Sequence, residues 1–194
     1  GSPPWEDWAP LEGGSWVQES PGQVRGAGFG LLEFQFAGLV NRDAGKRKAP
    51  YEVSVEIQLD CTLDRGLGGI VFGLQNSQDF LLVYLVHDLA QFDVPRERLK
   101  KMRAELGNYP KSVRCAQMVG GRWHILEWAP AEFPDAGWTK LTLNVDTDSV
   151  TPRIAGKTLA RIPLSVPVNG RVGVLKFYDN IVGFRDFRIR GGGR

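Results

Sequence analysis

The clearest pattern along this chain is a pair of apolar runs separated by a short polar break. Residues 68–75 and 80–86 are rich in Val, Ile, Leu, Phe and Tyr, and residues 76–79 between them are turn formers. Neither run alternates with polar residues, which predicts a β-hairpin that is buried on both faces. We therefore expect the hairpin to lie inside a sheet that a second layer covers, with four of its side chains buried: Val71, Phe72, Leu82 and Tyr84.

In a second pattern, apolar and polar residues alternate strictly, which predicts strands with one solvent-exposed face. In Tyr51–Leu59 the odd-numbered residues are apolar or aromatic, and the even-numbered residues are Glu52, Ser54, Glu56 and Gln58. Period two places one face in the core and the other in water. Further strands are expected around residues 15–18, 23–37, 113–119, 122–128, 138–145, 159–164, 171–178 and 183–189. About a dozen short strands with turn signals every 8–12 residues predict a two-sheet sandwich.

Residues 95–106 break the strand pattern. Pro95 suits the first turn of a helix, the apolar residues Leu99, Met102 and Leu106 recur at helical spacing, and Gly107 can end the helix. We expect one short helix here, inserted between two strands. The basic side chains on its outer face indicate either an acidic partner or a solvated face that covers a sandwich edge; they are Arg96, Arg98, Lys100, Lys101 and Arg103.

The composition limits the number of domains and the class of protein, but it does not identify a function. The 194 residues suit a single domain, and we expect an arm at 1–22 packed on a sandwich at 23–194. Apolar residues make up 42% and charged residues 24%, which is typical of globular proteins. The net charge of +2 is too near neutral to indicate nucleic acid as a partner. The longest apolar run is too short to span a bilayer.

The first residues and the cysteines bear on localisation. Gly1-Ser2 resembles an expression-vector remnant, which would hide a removed signal peptide, and we expect a secreted, periplasmic or cell-surface protein. Cys61 and Cys115 either close one disulfide or remain as two buried thiols. Buried thiols are the commoner arrangement, because a free Cys is usually a small core residue.

The order of these elements resembles the concanavalin A-like lectin/glucanase superfamily, and within it the laminin-G-like and 3-keto-disaccharide-hydrolase-like branch (domain of unknown function 1080). The segments that carry the resemblance are Tyr51–Leu59, 68–75, 79–80, 120–123, 137–138, 155–157, 169–173 and 184–189. The resemblance implies an all-β, two-sheet antiparallel jelly-roll sandwich. It also implies that the concave sheet and its rim loops bind glycans or protein ligands, with calcium in several members.

No catalytic signature accompanies the fold pattern. A nucleophile elbow, a zincin helix, a P-loop and a Cys-x-x-Cys pair are all absent from the sequence. His87 and Asp88, at the end of the central hairpin, are the candidates for an enzyme, and His124 is the weaker histidine. A glycosidase needs two carboxyl groups about 5–10 Å apart. Carboxylates on predicted strands or rims show no diagnostic spacing: Glu52, Glu56, Asp79, Asp88, Glu127 and Asp179.

Binding is the interpretation that the sequence favours. Sugars stack on aromatic rings while their hydroxyls meet fixed polar groups. The ligand-binding candidates near the concave sheet are Gln75, Tyr84, His87, Arg122, Trp123, Lys176 and Tyr178. Calcium prefers loop carboxylates, for which Asp146, Asp148 and Asp179 are candidates. The first hypothesis is a carbohydrate-binding module; the alternatives are a glycoside-acting enzyme and a laminin-G-type protein-interaction domain.

Overall fold

The computed structural model describes residues 8–30, 36–41, 46–59, 66–87, 111–134, 137–177 and 180–193. Within these segments the chain forms fifteen β-strands, numbered β1 to β15 in chain order, and no helix. Across the same segments, no helix is long and apolar enough to cross a membrane. The predicted helix at 95–106 and its basic face lie outside the described residues.

Seven antiparallel strands form the first sheet. In spatial order they are β1 (Trp8–Leu11), β4 (Phe36–Asn41), β14 (Arg171–Phe177), β6 (Leu67–Asn76), β7 (Asp79–Val86), β8 (Ser112–Val119) and β9 (Arg122–Pro130). The second sheet contains, in order, β12 (Lys157–Thr158), β11 (Ser149–Ile154), β10 (Trp138–Val145), β5 (Tyr51–Leu59), β15 (Val182–Gly191), β3 (Gln23–Gly30) and β2 (Gly13–Ser20), with β13 (Ile162–Pro163) paired to β11. The two sheets stack as a sandwich, which confirms the predicted all-β class.

The predicted central hairpin is confirmed as β6 and β7, which lie between β14 and β8 in the middle of the first sheet. Its inward side chains join the core between the sheets: Ile70, Phe72, Leu81 and Val83. Its outward side chains join a second apolar cluster on the outer face of the first sheet: Val71, Leu82 and Tyr84. Val71, Phe72, Leu82 and Tyr84 are each 0% exposed, so both faces of the hairpin are buried as predicted.

Glycines let the central strands approach closely. A Cβ atom added at Gly69 would lie 2.1 Å from the carbonyl oxygen of Val83 and 2.5 Å from Cα of Tyr84. A Cβ atom at Gly173 would lie 2.4 Å from the carbonyl oxygen of Leu39. Both obstacles are backbone atoms of the neighbouring strand, which cannot rotate away as a side chain can. These two positions therefore require glycine for steric reasons.

The N-terminal third differs from the prediction. The single strand expected at 23–37 is two strands in different sheets, β3 in the second and β4 in the first. The arm at 1–22 contributes two strands, β1 and β2, where one was expected. A run of apolar residues indicates that a segment is buried, but it does not indicate which sheet the segment joins. The pattern therefore could not show where the chain changes from one sheet to the other.

Strand β2 packs tightly over β4, because a Cβ atom added at Gly14 would lie 2.7 Å from the Cβ of Ala37.

The alternating strand β5 is confirmed, but its polar face is not fully in water. Ser54 is 5% exposed, and Glu52, Glu56 and Gln58 are half-buried. Glu56 pairs with Arg185 from the neighbouring β15, and Glu52 with Arg153 from β11. Long side chains from β15 and from β11, which lies beyond β10, thus cover a face that the sequence pattern predicted to be open.

Truncating Phe72 to Ala should lower the free energy of unfolding by about 3–5 kcal/mol, because the ring is fully buried between the sheets. Urea unfolding measures the change. Val17→Ala is the matched control, because the Val17 side chain is 61% exposed; it should change stability by less than about 0.5 kcal/mol. A loss below about 1 kcal/mol for Phe72→Ala would contradict the described packing.

Gly69→Ala tests the close approach of β6 and β7. Because the added methyl would meet backbone atoms, we expect a loss of more than about 3 kcal/mol, beyond the usual cost of overpacking. Gly22→Ala is the control, since a Cβ there has nothing within 4 Å. Equal midpoints of urea unfolding for the two variants would show that the strands can separate without cost.

Candidate functional site

Five aromatic rings cluster on the outer face of the first sheet, which we call the aromatic face: Phe36, Phe80, Tyr84, Trp123 and Phe177. The rings touch mostly edge to face, with centroids 5.0 Å apart for Tyr84–Phe177, 5.2 Å for Phe36–Phe80 and 5.7 Å for Trp123–Phe177. Such geometry adds stability beyond burial alone. Trp123 is half-buried and the other four rings are buried, so the aromatic face is a packed cluster and not an open platform.

A charged residue lies on the same face. Arg114 in β8 pairs in register with Tyr84 in β7, so both side chains project outward from the same rung. Arg114 is 0% exposed. A buried guanidinium is costly unless acceptors or aromatic faces compensate it. Arg114 is not among the residues predicted from the sequence, although an arginine between apolar neighbours in a predicted strand was a visible signal.

Of the predicted ligand-binding residues that the structure describes, only two are brought together. Tyr84 and Trp123 share the aromatic face, with ring centroids 6.2 Å apart. Lys176 lies on the opposite face of the same sheet. It is fully buried between the sheets, and its Nζ donates a hydrogen bond to the carbonyl oxygen of Gly28. Strand alternation, which the sequence shows, places Lys176 and Phe177 on opposite faces, but the sequence does not say which face is the outer one.

The remaining candidates are dispersed. Gln75 is exposed at the end of β6 and donates a hydrogen bond to the carbonyl oxygen of Asn169. Arg122 is exposed at the start of β9. His87 is half-buried, and its backbone N–H donates to the carbonyl oxygen of Gly66 at 3.0 Å. Asp88 and Tyr178 lie outside the described residues.

Two of the predicted loop and rim carboxylates have structural partners. The carboxylate of Asp148 accepts a hydrogen bond from Arg161 at 2.8 Å, and Asp146 is exposed beside it. Asp79 ties two hairpin tips together: it accepts from the backbone N–H of Gly120 at 2.9 Å and from Asn76 at 3.0 Å, and these bonds lower its pKa. Asp179 lies outside the described residues, which contain no group of three His, Cys, Asp or Glu side chains that could hold a metal ion.

The outer face of the second sheet carries an accessible cluster that we call the polar face: Trp138, Glu56, Arg185, Gln58 and Arg25. Trp138 on β10 pairs with Gln58 on β5, and Gln58 pairs with Gly183 on β15, so the three share one rung. The indole lies across this rung, because a Cβ at Gly183 would be only 3.1 Å from it. A glycine at this position lets the ring lie close to the sheet.

Ion pairs fix the charged groups of the polar face. The Arg185 guanidinium carbon lies 4.1 Å from the centroid of a Trp138 ring, and its Nε donates to Glu56 Oε2 at 2.6 Å. Arg25 Nη2 donates to Gln58 Oε1 at 3.3 Å and also pairs with Glu19. The side chains of Arg185 and Glu56 are 40% and 29% exposed, so solvent and ligands can reach them.

The sequence indicated part of the polar face. Glu52 and Glu56 were expected on one strand face that could line a cleft, and they do share it. Trp138 and Arg185 were missed, because their strands are distant in sequence and only the pairing of β10, β5 and β15 joins them. Gly137-Trp138 at the start of an alternating strand was the one available signal. An indole stacked on a guanidinium beside a carboxylate can bind a polyhydroxylated molecule.

A cavity of about 210 Å³ lies at an edge of the sandwich, between β8 and β9 of the first sheet and the chain around β11–β13 of the second. Its lining includes Cys115, which is buried and not disulfide-bonded, and Glu127. Burial raises the pKa of Cys115 to about 12, and the negative charge of Glu127 adds to the increase. Cys61, the other cysteine, lies outside the described residues.

The chain matches no protein-family model and no curated protein. Solved structures do resemble it. The carbohydrate-binding module CBM66 from Bacillus subtilis has 13% sequence identity, a TM-score of 0.70, and coverage of 95% of this chain and 96% of that one. A Bacillus subtilis protein of unknown function with a galectin-like fold has 13% identity and a TM-score of 0.65, covering 97% and 91%. The GH43 BlXynB protein from Bacillus licheniformis has 15% identity and a TM-score of 0.60, covering 94% of this chain but 36% of that one.

These similarities confirm the two-sheet jelly-roll sandwich that the sequence resemblance implied. At such low identity they show the fold alone, because one fold hosts many functions. The narrower branch, 3-keto-disaccharide-hydrolase-like or laminin-G-like, stays a prediction.

Cys115 should react with iodoacetamide very slowly at neutral pH, because burial and a raised pKa keep it as a thiol. Mass-spectrometric peptide mapping after timed labelling measures Cys115 separately from Cys61. Labelling in urea above the unfolding midpoint is the control and should be at least about a hundredfold faster, since the unfolded thiol has an ordinary pKa near 8.5. Equal rates in the two conditions would contradict the buried position.

Proposed function

We propose that the protein is a carbohydrate-binding module that holds a sugar on the polar face, at Trp138, Arg185 and Glu56. The observation that carries the proposal is the contact of the Trp138 indole with the Arg185 guanidinium, 4.1 Å apart, beside the carboxylate of Glu56. The apolar face of a sugar ring packs on an aromatic surface, while its hydroxyls need donors and acceptors at fixed positions. The polar face supplies both kinds of group.

Preorganisation favours this face. The Glu56–Arg185 pair at 2.6 Å and the Arg25–Gln58 bond at 3.3 Å restrict planar side chains before any ligand arrives. Because less side-chain entropy is then lost on binding, a modest contact area can give a useful affinity. Carboxylate and guanidinium groups also make the stronger, charge-assisted hydrogen bonds.

Accessibility decides between the two faces. On the aromatic face, Tyr84 and Arg114 are both 0% exposed, so a ligand could reach only the half-buried Trp123. On the polar face, Arg185, Glu56 and Trp138 are all partly exposed. The similarity to a carbohydrate-binding module, over nearly the full length of both chains, supports a binding function.

The two alternatives from the sequence stay hypotheses. A glycoside-acting enzyme depends on His87 and Asp88, and Asp88 lies outside the described residues; turnover of a 3-keto-glycoside that is lost in His87→Ala would favour it. A laminin-G-type interaction domain would retain a protein partner that free sugars do not displace. No observation on the described residues favours either alternative over sugar binding.

A glycan array, followed by titration calorimetry on the glycans that bind, tests the proposal, each with and without calcium. Trp138→Ala should weaken binding at least tenfold, which corresponds to about 1.4 kcal/mol and is modest for an aromatic group at the centre of an interface. Glu56→Gln should weaken it less, because the side chain keeps its shape and part of its hydrogen bonding. Thermal unfolding of each variant verifies that it is folded.

Two control variants locate the site. Arg161→Gln removes an exposed ion pair with Asp148 away from the polar face and should leave affinity unchanged. Trp123→Phe alters the aromatic face alone. If Trp123→Phe weakens binding while Trp138→Ala does not, the sugar lies on the other sheet. If no glycan binds the wild-type protein in either condition, the proposed function is wrong.

A further inference from the structure

We propose that the cavity at the sandwich edge binds a small primary amine with an apolar body, its ammonium group at the carboxylate of Glu127 and its body between the sheets. This site is separate from the polar face, and the proposal does not depend on sugar binding. The ligand class follows from three features of the cavity: its apolar walls, its volume and its acidic group.

The walls come from both sheets. In the first sheet they are formed by β8 and β9, and in the second by β11 and the chain leading into β13. The lining residues other than Arg114, Trp128 and Glu127 are apolar or weakly polar, and they are Val113, Cys115, Ala129, Pro152, Leu159, Ala160 and Ile162. Apolar side chains cannot satisfy the hydrogen bonds of water, so such a cavity favours an apolar group.

The volume limits the occupant. The cavity measures about 210 Å³. For comparison, an apolar cavity of about 150 Å³ in another protein is known to admit benzene. The space therefore fits one six-membered ring or a chain of four to six carbons, with little room to spare. Ala160 is exposed and Leu159 is half-buried, so this side of the cavity reaches the solvent.

A β-bulge brings the charge to the cavity wall. In β9, Ile125 pairs with Ala116, and the same register would pair Leu126 with Cys115. The strand instead gains one residue, so that Glu127 pairs with Cys115 and takes the place that Leu126 would have had. The bulge thus adds an exposed carboxylate on the cavity side of the sheet, beside Leu126, which still packs against the core. The Oε1 atom of Glu127 accepts a hydrogen bond from the backbone N–H of Trp128 at 2.9 Å, which fixes the position of the carboxylate.

The negative charge of the Glu127 carboxylate acts on groups that line the cavity. Glu127 contributes to the raised pKa of Cys115, whose thiol also lines the cavity. A negative charge that disfavours the thiolate favours a cation at the same place. Arg114 also lines the cavity, but its side chain projects from the outer face of β8 with Tyr84, so among the lining residues Glu127 supplies the charge on the cavity side. An uncharged ligand gains only from the walls, and an anionic ligand is repelled, so a monoamine cation is the best complement.

The test uses benzylamine as the probe and follows backbone amides of the folded chain by two-dimensional NMR. Benzylamine should shift the amides of residues 113–115 and 127–129, with a Kd below about 1 mM, which is well within the reach of a ligand of about eight heavy atoms. Toluene should bind at least about fivefold more weakly, and phenylacetate should not bind. Raising the ionic strength to about 0.5 M should weaken benzylamine alone, since salt screens only the charged contact.

Two variants and one control complete the test. Glu127→Gln should reduce benzylamine affinity about fivefold to tenfold and leave toluene unchanged. Ala160→Phe should block the entrance and abolish binding of both. Thr158→Phe adds the same ring to the same edge of the sandwich at an exposed residue that does not line the cavity, and it should bind benzylamine normally.

Three outcomes would overturn the proposal. Amide shifts absent with all three probes would show that the cavity takes no ligand of this class. Equal affinity for benzylamine and toluene, unaffected by Glu127→Gln, would show that the carboxylate selects nothing. Shifts that persist in Ala160→Phe would place the amine elsewhere on the surface. None of these results bears on glycan binding at the polar face.

Discussion

The two central strands of the first sheet bury both of their faces, and the rest of the molecule is arranged to cover them. β6 and β7 carry no charged side chain that points into either cluster; one face packs against the second sheet, and the other forms the aromatic face together with β4, β9 and β14. Gly69 and Gly173 leave no room for a Cβ against the neighbouring backbone, and so they fix how closely the strands of this sheet approach. The burial of a few apolar strands thus sets both the layer structure and the strand spacing.

Among the described residues, two charged side chains are buried next to the apolar clusters of the first sheet. Arg114 lies on the aromatic face and Lys176 lies between the sheets, and both are fully buried. Lys176 reaches from β14 to the carbonyl oxygen of Gly28 on the opposite sheet, so it joins the two layers through a hydrogen bond as well as by packing. Burying an ammonium group without a hydrogen-bond acceptor is costly, so a shift of the sheets that broke this bond would be unfavourable. The bond therefore favours one relative position of the two sheets.

The sequence predicted the elements whose signal is local. Tyr51–Leu59, the β6–β7 hairpin and the β8–β9 hairpin appear where alternation, apolar runs and turn residues placed them. It could not predict features that depend on which strands become neighbours. The sheet change between β3 and β4 and the inward direction of Lys176 follow from pairing between distant segments, and the bulge at Glu127 follows from the register of the β8–β9 pair. The polar face shows the same limit: Glu56 was identified, but its partner Arg185 is separated from it by 129 residues.

One edge of the second sheet ends in β2, which, among the described strands, has a neighbour on one side only. The pairing of β2 with β3 is interrupted twice, between Gly13 and Ser15 and between Gln18 and Ser20, and Glu19 adds a charge at the second break. A strand from another molecule could align only a few consecutive hydrogen-bonding groups before meeting an irregularity. This edge is therefore poorly suited to edge-to-edge pairing with a strand of another molecule, even though the side chain of Val17 is open to solvent there.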